Sequence, residues 1–174
     1  MSFSGKDWIW PEGEAERISF LAKQENINPT LARVLLNRGI EDPLEARAFL
    51  CPDLKNLHSP WLMDGMSPAV ARIINAINDG EKIMIYGDYD CDGITATSIV
   101  VEAIRDLGGQ VDYFLPSRFD EGYGLHNEPL QEFSQAGVTL VITVDCGINA
   151  KAEGAFGQSL GLDLIISGHP QPLE

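Results

Sequence analysis

The sequence predicts an α/β protein, a mainly parallel sheet flanked by helices and preceded by a small helical segment. Two features carry that expectation. From about residue 67, apolar runs of strand length alternate with stretches of helical periodicity, the order that builds a parallel sheet. Before that point only helical patterns occur, and a segment rich in Pro and Gly separates the two textures.

Taken in order, "EAERISFLAKQEN" sets Ile18, Leu21 and Ala22 on one helical face. "PTLARVLLNRG" opens with Pro29 near the first helical position and stops at Gly39, and "DPLEARAFL" repeats the pattern with Asp42 as cap and Pro43 behind it. "CPDLKNLHSPWLMDGM" has no period and carries Pro52, Pro60 and Gly65, so residues 1–66 are read as helical segment and linker and 67–174 as the α/β domain. The small helices suit a packing or substrate-guiding appendage. Trp8, Trp10 and Trp61 are expected to pin it to the sheet domain, with "WIWP" as a partner-docking edge the other reading.

Beyond the linker, "SPAVARIINAIND" is capped by Ser67, has Pro68 behind the cap and ends at Gly80. "KIMIY" is a strand, "ITATSIVVEAIRDL" a helix ending at Gly108 and Gly109, and "QVDYFLP" a strand stopped by Pro116. "EPLQEFSQAG" is helical and "VTLVITVD" a buried strand. "NAKAEGAFGQSLG" is a weaker helix and "LDLIIS" the last strand.

With 44% apolar residues in 174, the chain can bury a core. It has no apolar run near the roughly 20 residues that cross a bilayer, and "MSFSGKDWIW" lacks the pattern of an export signal. A cytoplasmic protein with no membrane partner is expected. Cys51, Cys91 and Cys146 are odd in number and in no metal-knuckle spacing, which predicts free thiols, small and buried for Cys91 and Cys146.

Charge is unevenly placed: up to Gly80 there are 8 Lys/Arg against 11 Asp/Glu, and from Glu81 onward 4 against 15, or −11 of the net −14. A nucleic-acid binder shows a basic stripe, so composition alone argues against a polyanion partner. Acids that hold divalent cations reverse that argument, because the metal's charge counts with the protein's.

In a parallel sheet, ligands sit beyond the carboxyl ends of the strands. Asp88, Asp90 and Asp92 follow "KIMIY", Arg118 follows "QVDYFLP", Asp145 closes "VTLVITVD" and His169 follows "LDLIIS". Three chemistries compete for this rim. An EF-hand loop fits Asp88, Asp90, Asp92 and Gly93 but has Ile99 where a bidentate Glu belongs. An aspartyl-phosphate phosphatase would use Asp90 as nucleophile and Asp92 as acid/base, with Ser167 as a second motif; it leaves Asp88 and the "VDCG" acid unused and lacks a matching Lys. A pair of Mg²⁺ or Mn²⁺ ions, held by carboxylates and one imidazole, accounts for all of them, the imidazole tilting the choice to Mn²⁺. His58 and His126 are read as surface histidines.

"YGDYDCDGITAT", "LPSRFDEGYGL", "LVITVDCGINA" and "LDLIISGHPQP" stand in the order and at the spacings of the DHH phosphoesterase superfamily, which the chain resembles. The upstream "LARVLLNRGI" and "DPLEARAFLCPDL" resemble the leading segment of that family's exonucleases for single-stranded DNA, so the likeness covers nearly the whole chain. The resemblance implies metal-dependent 5′ to 3′ hydrolysis of single-stranded DNA to mononucleotides, in DNA repair and recombination. It assigns metal binding to Asp88, Asp90, Asp92, Asp145 and His169, and catalysis to Asp90, Asp92, Asp145 and His169, with Asp145 suited to bridge two ions. Arg118 becomes a phosphate contact or a partner of Asp120 or Glu121; Tyr123 stacks on a base or packs under its loop. The departure is at the name-giving Asp-His-His, where this chain has Gly168, His169 and Pro170. A truncated or degenerate form with reduced activity and one ion is therefore expected, with a non-catalytic interaction module as the other reading.

Overall fold

The computed structural model describes residues 15–117, 119 and 122–168. Trp8 and Trp10 lie outside the described residues. The chain divides into two compact units between Ser59 and Pro60.

The first unit is three short helices, α1 (Ala15–Glu25), α2 (Pro29–Asn37) and α3 (Pro43–Leu50). Ile18, Leu21, Ala32, Leu35, Ile40 and Ala46 are buried together, so the apolar stripes of all three helices meet in one core. The starts of α2 and α3 are fixed locally. Asn28 accepts from Thr30 N, and Asp42 accepts from Leu44 N and Glu45 N with Pro43 behind it, as expected. Arg47 forks onto Glu25 at 2.9 and 3.1 Å, joining α3 to α1.

The second unit holds α4 (Met66–Asn78) and four parallel strands, β1 (Lys82–Tyr86), β2 (Gln110–Phe114), β3 (Val138–Thr143) and β4 (Asp163–Ile166), in the order β2-β1-β3-β4. Crossover helices α5 (Cys91–Asp106), α6 (Asn127–Gln135) and α7 (Lys151–Ser159) join them. Strand alternation sorts the side chains into two cores. Ile83, Ile85, Leu140 and Ile142 pack with Ala76, Val101 and Ile104 of α4 and α5, whereas Tyr86 and Val141 pack with Leu130 and Phe133 of α6. The α/β class is the one predicted.

Two local expectations are corrected. Ser67 does not cap α4; Gly65, at φ 77°, stands at the cap, and Ala69 N already bonds to Gly65 O. α5 begins at Cys91, not Ile94, because Asp90 caps it.

Opposite the carboxyl ends, Arg72 of α4 ties strand beginnings together. It donates to both oxygens of Glu81, at 2.6 and 3.2 Å, and to Asp163 at 2.6 Å, while the Thr139 hydroxyl also bonds to Glu81. Arg72 first, then Thr139, hold the Glu81 carboxyl below its ordinary 4.5. A depressed folded value means the contribution is present above the ordinary value and lost as pH falls below it. Arg72→Met is expected to cost about 1–2 kcal/mol at neutral pH, measured by urea unfolding, and the difference from the parent should shrink below about pH 4.5.

Candidate metal centre

The strand order reverses direction between β1 and β3, and an open parallel sheet binds ligands outside its carboxyl edge at such a reversal. Tyr86 and Thr143, the last residues of these neighbours, are paired in register. The segments that follow therefore leave the sheet side by side, one carrying Asp88, Asp90 and Asp92 and the other Asp145.

After Tyr86 the chain has room for only a few residues before α5 must pack back onto the sheet. Asp90 has extended backbone and its Oδ1 accepts from Gly93 N at 2.9 Å, capping α5. Asp92 lies in the first turn, where the helix dipole favours a carboxylate. Asp88 is buried, 3% exposed, and accepts from Tyr89 N at 2.7 Å. The crowding of acids is thus partly relieved by the helix start itself. Gly93 is required by space: a Cβ there would stand 2.5–2.7 Å from the backbone O, N and C of Asp88.

Asp145 leaves β3 in the left-handed region, φ 59°, a conformation Asp tolerates better than most residues. Tyr123, on the loop before α6, donates from its hydroxyl to Asp145 O at 3.3 Å, and Tyr86 anchors that loop by donating to Gly124 O at 3.0 Å.

The result is a cleft of about 650 Å³ whose wall includes Asp88, Asp90, Asp92, Tyr123 and Asp145, the expected residues that are described. Arg118 and His169 lie outside the described residues; Gly168, next to His169, is in the wall. The electrostatics agree with this convergence. Burial first, then the charges of Asp88 and Asp145, push the Cys146 thiol up to about 12. Burial, then Cys146, Asp88, Asp145 and Asp90, raise the Tyr123 hydroxyl. Cys146 is therefore a neutral, buried thiol, as expected. Cys91 is exposed, which corrects the expectation of a buried one: at the outer start of α5 it has no core to enter.

Three wall residues with polar side chains are not among the candidates read from the sequence: His126, Asn149 and Glu153. Glu153 sits in the first turn of α7, one element after Asp145, and an acid there is a legible sign. His126 corrects the surface reading. Its Nε2 is shut off from solvent with no hydrogen-bond partner among the described residues, and it stands at the α6 cap without a side-chain cap bond.

The donor chemistry fits a hard divalent cation: five carboxylates line the cleft, and its described lining has no Lys or Arg. Among the described residues no three His, Cys, Asp or Glu side chains surround one ion position. Asp88 and Asp90 are turned onto backbone amides, so ligation requires them to trade a backbone hydrogen bond for the ion.

A parallel sheet whose adjacent strand tips bring acids into one cleft suits a metal-dependent phosphoesterase. Residues 82–174 match the DHH family N-terminal domain, and the chain belongs to the DHH family. Its relatives include the single-stranded-DNA-specific exonuclease RecJ of Bacillus subtilis, 40% identical over 95% of this chain and 21% of the relative. The RecJ of Escherichia coli is 36% identical over 83% of this chain and 24% of its own length. The crystal structure of RecJ in complex with Mn²⁺ from Thermus thermophilus superposes with a TM-score of 0.71 at 27% identity, covering 96% of this chain and 22% of that one. The chain spans about a fifth to a quarter of the length of these relatives.

Proposed function

We propose that the chain carries part of a divalent-metal phosphodiesterase site for single-stranded DNA, acting as a cytoplasmic 5′ to 3′ exonuclease of RecJ type in DNA repair and recombination. The observation that carries this reading is the meeting of Asp88, Asp90, Asp92 and Asp145, from two neighbouring strand tips, in one cleft. These aspartates, with His169, would hold Mn²⁺ or Mg²⁺, one ion here where two suit a full Asp-His-His site.

When bound, the ion supplies positive charge that polarises a phosphoester and eases loss of a proton from water. The protein's own groups do the rest. Asp145, held in a left-handed turn, and Asp90, held at the α5 cap, both line the cleft. Arg118 would hold a phosphate by its guanidinium fork. Tyr123, 58% exposed at the rim, would stack on a base. The helical segment up to residue 66 would guide the strand. The phosphatase alternative gains no support, since no Lys is among the described wall residues.

Incubation with 5′-phosphorylated single-stranded DNA and Mn²⁺ is expected to release mononucleotides slowly, and Asp90→Asn to stop it. No release at any Mn²⁺ concentration would remove hydrolysis from this chain's activities.

A further inference from the structure

Thr143 ends β3, is fully buried, and makes four hydrogen bonds that join the Asp145 turn to the exit of β4. Its hydroxyl donates to Cys146 O at 2.9 Å, closing the turn that contains Asp145. The same oxygen accepts from Ser167 N at 3.3 Å. The Thr143 carbonyl accepts from the Ser167 hydroxyl at 2.8 Å and from Ser167 N at 3.2 Å. Val144 N donates to Tyr86 O at 2.9 Å, so β1, from which the Asp88 loop departs, is tied to the same point.

The turn needs such a lock. Asp145 is one of two described non-glycine residues at positive φ, Gly147 follows at φ 89°, and a Cβ at 147 would stand 3.3 Å from Thr143 Oγ1. Without the hydroxyl, the Cys146 carbonyl loses its partner and the turn keeps only the Tyr123 bond to Asp145 O and the Val144 and Cys146 bonds to Tyr86 O, so Asp145 is freer to relax towards ordinary backbone and shift its carboxylate relative to the β4 exit. A Cβ at Gly168 would stand 3.5 Å from Cys146 N and O, so a shift of the turn is felt at the β4 exit. From this geometry we infer that Thr143 is a positioning residue for the metal centre: its hydroxyl sets the spacing between the Asp145 turn and Ser167 at the β4 exit.

The inference rests on the metal reading above, and the experiment separates the two. Mn²⁺ binding is measured by calorimetry on the parent chain, Thr143→Val, Thr143→Ser and Ile104→Val, the last a core change remote from the cleft. Thr143→Val keeps the shape and loses the hydroxyl, and should weaken binding about 10–100-fold, as outer partners of metal ligands do, while Thr143→Ser stays within about 2-fold. Ser167→Ala, which opens the clasp from the exposed β4 side, should weaken binding about 3-fold or more and replaces Thr143→Val should that variant not fold. Parent-like affinity in Thr143→Val, equal loss in Thr143→Ser, or equal loss in Ile104→Val overturns the inference and leaves the metal reading standing. A parent chain that binds no Mn²⁺ overturns both.

Discussion

Gly93→Ala is expected to destabilise the chain by about 3 kcal/mol, the upper end of overpacking, and to abolish binding of divalent metal. The added methyl has nowhere to go. Its nearest neighbours are the backbone O, N and C of Asp88 at 2.5–2.7 Å, and backbone of a buried loop cannot step aside as a flexible side chain can. Either α5 lifts from the sheet, losing the contacts of Val101 and Ile104 with Ile83 and Ile85, or the Asp88 loop moves outward. Both outcomes also break the Asp90 cap, because the amide it holds belongs to residue 93 itself. Gly108→Ala is the control: its Cβ meets nothing within 4 Å, and only the positive φ of 82° is strained. It should cost stability by its backbone alone and leave metal affinity unchanged. Thermal unfolding with and without Mn²⁺ distinguishes the two, since only Gly93→Ala should lose the metal-induced rise.

The second large effect is a gain. Gly168→Asp with Pro170→His restores the acid and the second imidazole that the Asp-His-His pattern calls for. Position 168 can take the change: a Cβ there would lie 3.5 Å from Cys146 N and O, ordinary van der Waals contact. Gly168 is already in the cleft wall, so the new carboxylate starts from the right edge of the sheet. The double variant is expected to bind Mn²⁺ about 10-fold or more tightly and to hydrolyse 5′-phosphorylated single-stranded DNA faster by a similar or greater factor. Tighter binding without faster hydrolysis would place the catalytic shortfall elsewhere than residues 168 and 170.

Much of this fold was legible because its signals are local. Apolar runs of strand length gave β1 and β3, and Asp42 before Pro43 gave the start of α3, where side chain and backbone satisfy each other within three residues. The aspartates of the cleft were legible for the same reason, as acids directly after strands. The failures have two causes. Some segments offer competing local solutions: Gly65 and Ser67 both suit a helix start, and the left-handed turn at Gly65 prevails; Asp90 could be a loop acid or a cap, and α5 gains a turn when it caps. Other features depend on distant partners. The order β2-β1-β3-β4 is set by which faces the crossover helices bury, and His126 enters the cleft wall on a loop whose anchor, the bond from Tyr86 to Gly124, spans 38 residues.

The most direct test of the account is Mn²⁺ titration of the parent chain beside Asp90→Asn and Asp145→Asn, followed by calorimetry. Asn keeps the cap at position 90 and tolerates the left-handed backbone at 145, so each change removes a charge and little else. Saturable binding that falls steeply in both variants is the expected result. Binding by the parent that persists unchanged in Asp145→Asn would contradict the claim that two strand tips hold one ion between them.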